Sequence, residues 1–154
     1  MGRLCDRLDS EADRPYEKAY GRGVLDNRVR VLVADDHPSV RENLRYLIDA
    51  EPDLTCIATA KDGISAIQMC HELFPDVVVL DEDMPGASGI RVLKHLRREL
   101  PDIQAVMYTL DLDICQVART IGAAACVMKD ARYEVLMRAI REAAPASYSP
   151  SELH

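Results

Sequence analysis

The sequence has no apolar run approaching the roughly 18 residues of a membrane span, and no apolar stretch of the kind that opens a secretory leader. Neither a membrane protein nor an exported one is expected. Clustered lysines and arginines are missing as well. The formal net charge of -7 argues against a nucleic acid as a direct partner of these residues, because phosphate binding needs concentrated positive charge. The five cysteines include no Cys-x-x-Cys spacing, and Cys56, Cys70 and Cys126 fall in apolar segments where a small buried thiol is the common outcome. A reduced, cytoplasmic setting is the expectation. Repeats and low-complexity tracts are absent, tryptophan does not occur and phenylalanine occurs once. Met1-Gly2 would suit a myristoylation signal, but Asp6 stands where that signal wants Ser or Thr. What remains is a chain of 154 residues, 48% hydrophobic, long enough for one domain with a real core.

The most informative stretch is Val77-Val78-Val79-Leu80-Asp81-Glu82-Asp83-Met84-Pro85-Gly86. Four apolar residues, three of them β-branched, read as a strand buried on both faces, as in the middle of a parallel sheet. Met-Pro-Gly cannot extend that strand, so Asp81 is placed at the carboxyl edge of the sheet, where open α/β folds bind ligands. Taken alone, the segment would equally suit a strand that ends in a solvated acidic turn.

Three parts are expected along the chain. Residues 1–28 alternate charges without a sustained apolar face and read as a loosely docked extension, with room for one short helix between Leu4 and Ala12. Residues 29–143 alternate strand and helix patterns. Residues 144–154 read as a tail or the start of a linker, since Ser149-Pro150-Ser151-Glu152 has the spacing of a helix start.

Strands are predicted at Val29–Ala34, Leu54–Ala60, Val77–Leu80, Ile103–Tyr108 and Ala124–Met128. Between them, Pro38 fits a first helical turn capped by Asp36 or His37, with Val40, Leu44, Leu47 and Ile48 at helical spacing. Asp62-Gly63 leads into a helix whose inner stripe is Ile64, Ile67, Cys70 or His71, and Phe74. Ser88 caps a third helix, with Ile90, Leu93, Leu96 and Leu100 inward and Arg91, Lys94, Arg97 and Arg98 on a solvated face. Asp111 to Ile121, closed by Gly122, and Tyr133 to Ala143, through Leu136, Met137 and Ile140, complete the set. Short loops and strict alternation imply a five-stranded parallel sheet with helices on both faces.

In such a sheet every strand ends on the same edge. Asp35 and Asp36 follow the first strand, Asp81 the third, Thr109 the fourth and Lys129 the fifth, so these side chains can converge. Three carboxylates in one cleft repel unless a cation sits among them, and an all-oxygen set suits Mg²⁺. Asp81 could then attack a phosphoryl group while Lys129 and Thr109 stabilise its oxygens. Singly, Thr109 would pass as a strand-end cap and Lys129 as a surface charge.

Taken together, Asp35-Asp36, Asp81 to Gly86, Ser88-Gly89, Thr109, and Gly122 with Lys129 resemble the receiver domain of two-component response regulators, over about Val29 to Ala143. Ala34 to Pro38, Lys129-Asp130-Ala131 and the tail Tyr148-Ser149-Pro150 look most like the NarL/FixJ-type subfamily. The resemblance implies a flavodoxin-like (βα)5 fold. It implies that Asp81 accepts a phosphoryl group from a sensor histidine kinase and that Asp35, Asp36, Asp81 and the backbone carbonyl of Asp83 hold Mg²⁺. Thr109 would bond the phosphoryl group and Lys129 would pair with it. Such a domain is a signalling switch, not an enzyme with an external substrate, and regulates transcription through a DNA-binding domain absent from this chain. Homodimerisation on phosphorylation is left open.

Three residues depart from the family pattern. Cys126 stands where an aromatic switch is usual, Leu110 follows Thr109 where a small residue is usual, and Asp83 adds a carboxylate beside Asp81. Slow phosphorylation or weakly coupled output is the expectation from these departures. Two other readings compete: a receiver-like interaction module that never carries phosphate, and a haloacid-dehalogenase-like phosphatase built on Asp81-x-Asp83. The phosphatase would need an acidic metal motif downstream, whereas the acid pair lies upstream.

Overall fold

A computed structural model describes residues 27–146. The expected extension, apart from its last two residues, and the linker-like Tyr148-Ser149-Pro150 lie outside the described residues. Five strands and five helices alternate: β1 Val29–Ala34, α1 Pro38–Asp49, β2 Leu54–Ala60, α2 Gly63–Leu73, β3 Val77–Leu80, α3 Gly89–Glu99, β4 Gln104–Thr109, α4 Leu112–Ile121, β5 Ala125–Met128 and α5 Tyr133–Ala143. All pairings are parallel, in the order β2-β1-β3-β4-β5.

The period of two along each strand sorts its side chains between two cores. Val29, Val31 and Val33 of β1 face Leu44 and Ile48 of α1 and Leu136, Met137 and Ile140 of α5. Leu32 and Ala34 face the opposite way, against Ala66 and Cys70 of α2, Leu93 and Leu96 of α3 and Ala118 of α4. Because both faces are covered, β1 and β3 are buried at every position, so β3 reads as an unbroken apolar run and β1 as one interrupted by Arg30. Chain order reverses at β1, which lies between β2 and β3, so a crevice opens where β1 and β3 end.

Caps set the helix starts. Asp62 Oδ1 accepts from the Ser65 N–H at 2.7 Å, and Ser88, the cap the sequence predicts, accepts through Oγ from the Arg91 N–H at 3.3 Å. His37 holds the cap position of α1 without a side-chain bond, and Gly122 ends α4 at φ 121°, open to glycine at little strain.

Two positions of the α2 stripe differ from expectation. Ile64 is 50% exposed, because Gly63 and Ala66 make the close contact with the neighbouring layer. Phe74 does not continue the stripe: it caps α2 in the left-handed region, at φ 47°, and its carbonyl accepts from Arg30 Nη1 at 2.9 Å. A larger departure concerns cysteine. Cys126 is not a free buried thiol but forms a disulfide with Cys115, joining α4 to β5; their Cα atoms are 5.4 Å apart, inside the range a bridge spans. Cys56 and Cys70 are buried and free, as expected.

Two contacts carry predictions for stability. A Cβ on Gly89 would lie 2.4 Å from the Asp81 carbonyl oxygen, so only glycine lets α3 start this close to the site. Gly89→Ala is expected to destabilise by about 1–3 kcal/mol, read from the urea midpoint at unchanged slope. Arg141 of α5 grips Asp53 with two bonds, Nε to Oδ2 at 2.6 Å and Nη2 to Oδ1 at 2.9 Å. That hydrogen-bonded guanidinium holds the Asp53 carboxyl below its ordinary 3.8 against the opposing effect of burial. The folded chain therefore binds this proton less tightly than the unfolded one, so the contribution is present above the ordinary value and fades as pH falls through the folded value. Arg141→Ala is expected to lose about 1 kcal/mol near neutral pH, with the difference from wild type closing in acid, measured by urea unfolding at both pH values.

Candidate functional site

At the end of β1, Asp35 is 1% exposed and Asp81 at the end of β3 is 5% exposed, which places two carboxylates in a protein interior. Such burial demands compensation. Lys129, delivered by the end of β5, supplies it: Nζ lies 2.8 Å from Asp35 Oδ2 and 3.1 Å from Asp81 Oδ1. The remaining oxygen of Asp35 accepts from the His37 backbone N–H at 2.9 Å, and Arg41 Nη1 donates to the Asp35 carbonyl at 2.7 Å. Thr109, also buried, ends β4; its Oγ1 accepts from the Asp111 N–H at 3.1 Å and its carbonyl accepts from the Lys129 N–H at 2.9 Å.

One ammonium does not neutralise this cluster. Burial pushes the Asp81 carboxyl above its ordinary range, reinforced by the neighbouring charge of Asp35 and only partly offset by Lys129. Burial works against the Lys129 charge, but its bonds to Asp35 and Asp81 outweigh that and hold the ammonium above its usual value. The lysine is therefore a fixed cation across the working pH range.

The sequence-predicted residues Asp35, Asp36 and Asp81 come together, each offering a carboxylate oxygen to a group whose ligand atoms lie within 4.8 Å of one another. Asp36 Oδ1 and Asp81 Oδ2 are buried and accept no hydrogen bond among the described residues, although Asp36 Oδ1 lies 3.0 Å from His37 Nδ1 without the alignment of a bond. Buried acceptor oxygens without donors, all hard and all anionic, fit a Mg²⁺-type ion. Asp83 does not add its side chain to the cluster; it is exposed, and only its backbone carbonyl remains as a candidate. Leu110 is 68% exposed, so it does not pack down over Asp81.

Sequence reasoning missed two residues. His37 brings Nδ1 to 3.1 Å from Asp35 Oδ1, and its adjacency to Asp35-Asp36 was the available signal. Glu82 closes the start of α3: Oε1 accepts from the Ile90 N–H at 2.9 Å and its carbonyl accepts from the Gly89 N–H at 3.0 Å. Burial raises the Glu82 carboxyl despite the Ile90 bond. No local pattern announces a cap eight residues upstream.

The family model for the response regulator receiver domain matches residues 31–141. The chain belongs to that family. This receiver is 38% identical over 125 residues to the nitrate/nitrite response regulator protein NarP of Escherichia coli (strain K12), covering 80% of this chain and 58% of NarP. It thus spans little more than half of that relative. Among solved structures, the receiver resembles the response regulator domain of Thermotoga maritima CheB, with TM-score 0.71 and 30% identity over 75% of this chain and 96% of that one. It also resembles a two-component response regulator of the LuxR family from Aurantimonas sp. SI85-9A1, with TM-score 0.70 and 32% identity over 73% of this chain and 82% of that one. The expected NarL-type affinity is thus supported on sequence and on fold, and so is the receiver reading over the phosphatase.

Proposed function

We propose that this receiver is the phosphoacceptor switch of a transcriptional response regulator, with Asp81 taking a phosphoryl group from a phosphohistidine of a sensor histidine kinase. The observation that carries the assignment is the Lys129 ammonium bridging Asp35 and Asp81 while Asp81 Oδ2 stays buried and unbonded. Lys129 holds one oxygen of the Asp81 carboxylate and no donor among the described residues bonds the other, so the two oxygens can serve one as metal ligand and one as nucleophile toward phosphorus. The bond from phosphorus to the donor breaks as an acyl phosphate forms on Asp81, with the donor's imidazole leaving. Lys129 pairs with the charge that builds on the phosphoryl oxygens, and the Thr109 hydroxyl, once turned from the Asp111 N–H, donates to one of them. Asp35, Asp36, Asp81 and the Asp83 carbonyl would hold Mg²⁺, which would supply the charge neutralisation that a dianionic group requires beside these carboxylates.

In this reading residues 29–143 are the switch, 1–28 an extension and 144–154 the start of a linker to a DNA-binding domain outside the chain. The setting is cytoplasmic, no external substrate is turned over, and phosphorylation favours homodimerisation. Acetyl phosphate with Mg²⁺ is expected to add one phosphoryl group per chain, read by intact mass, and a chelator is expected to prevent it. A chain that gains nothing would be a silent interaction module; sustained hydrolysis of a phosphomonoester would make it a phosphatase.

A further inference from the structure

We propose that Cys115 and Cys126 form a reversible redox site, oxidised by a low-molecular-weight disulfide such as oxidised glutathione and reopened by excess thiol, whose closure pins the first turn of α4 to β5. The consequence for signalling rests on the receiver reading above; the thiol chemistry does not.

Position carries the inference. α4 begins three residues after Thr109, and Cys115 lies in its first turn. Cys126 lies three residues before Lys129, opposite Met107 in the ladder with β4. The disulfide therefore joins the helix that issues from the site threonine to the strand that delivers the site lysine. At its far end α4 is already tied to β5 by the short Gly122-Ala123-Ala124 link. With the bond closed, both ends of the helix are held. With it open, the start of α4 is held by weaker contacts, among them the Asp111 N–H bond to Thr109 Oγ1 at 3.1 Å. A turn of Thr109 that carries Oγ1 toward a phosphoryl oxygen and away from the Asp111 N–H would loosen the start of α4, and a closed disulfide holds that first turn in place.

The site is reached through Cys126. Cys115 is 7% exposed, whereas Cys126 is half-buried on β5, an edge strand with β4 as its sole neighbour in the sheet. Burial pushes the Cys56 thiol up to about 11 and the Cys70 thiol up to about 12, so neither offers thiolate for exchange. Intracellular disulfides are usually transient, which suits a bond that opens and closes.

The exchange balances without any further reactant. The Cys126 thiolate attacks one sulfur of oxidised glutathione, forming a mixed disulfide and expelling a glutathione thiolate. The Cys115 thiolate then attacks Cys126 Sγ, closing the protein bond and expelling the second glutathione thiolate. The two protons from the cysteines end on the two glutathione thiols.

The full chain, equilibrated with oxidised glutathione or with dithiothreitol, is alkylated and mapped peptide by peptide, and backbone hydrogen exchange is followed across α4 before and after acetyl phosphate with Mg²⁺. Oxidation is expected to protect Cys115 and Cys126 together, to slow exchange in α4 by about tenfold or more, and to suppress the change in α4 that phosphorylation produces. Cys115→Ser should leave a glutathione adduct on Cys126 and remove the redox dependence of exchange. Cysteines that stay alkylatable in excess oxidised glutathione, or α4 exchange that is equal in both redox states, would overturn the proposal. Failure to take up phosphoryl in either state would count against Asp81 as acceptor, while the exchange comparison made without donor still decides the redox claim.

Discussion

Lys129→Met is expected to destabilise the metal-free chain by about 3–5 kcal/mol near neutral pH, because it leaves two buried carboxylates without their cation. The ammonium is held above its usual value by Asp35 and Asp81 once burial is overcome, so its contribution is complete below the ordinary lysine range and is lost as pH rises through the folded value. Two further features separate this outcome from the loss of a packed side chain. Mg²⁺ at about 100 times its dissociation constant should restore about 2.7 kcal/mol, by binding only the folded cluster. Acid should narrow the gap between variant and wild type, because Asp81, whose carboxyl burial pushes up, no longer needs a cation once protonated. Urea unfolding at three conditions, with and without Mg²⁺ and at low pH, reads all of this. Equal stability of variant and wild type without Mg²⁺ would mean that Lys129 does not compensate the buried charge.

Asp81→Asn is expected to abolish phosphoryl uptake from acetyl phosphate, because an amide oxygen cannot serve as the anionic nucleophile. The same substitution should make the metal-free chain more stable. The Asp81 carboxyl is pushed up chiefly by burial and then by Asp35, so the folded chain binds this proton more tightly than the unfolded one. Whatever stability that gives is present below the ordinary carboxylate range and is lost as pH rises through the folded value. Near neutral pH the wild type therefore carries an unfavourable charge that the amide removes. A higher melting temperature in the variant that is erased or reversed by Mg²⁺ would show that the acid is retained for chemistry at the expense of stability. A variant that still takes up phosphoryl would place the acceptor elsewhere.

Much of this was legible in the chain. Largely apolar runs ending in Asp35, Asp81, Thr109 and Lys129 determine both where the strands lie and which edge those residues share, because parallel pairing leaves no freedom over which ends meet. What escaped depends on contacts between distant segments. Phe74 looks like a stripe residue until Arg30 from β1 is seen to hold its carbonyl. Glu82 looks like a second acid in a turn until α3 is seen to start on it. Cys126 looks like a core thiol until α4 brings Cys115 beside it, and no local spacing encodes that approach. The pattern allows Asp36 or His37 as the cap of α1; His37 holds that position, and its ring also meets Asp35 and Asp36 at the rim of the cluster.

The most direct measurement locates the phosphoryl group itself. The chain is treated with acetyl phosphate and Mg²⁺, the acyl phosphate is reduced with borohydride to the corresponding alcohol, and the peptides are sequenced by mass spectrometry. Conversion of Asp81 alone to homoserine, dependent on Mg²⁺, is the expected result. Conversion of Asp35, Asp36 or Asp83 instead, or of no aspartate at all, would contradict it.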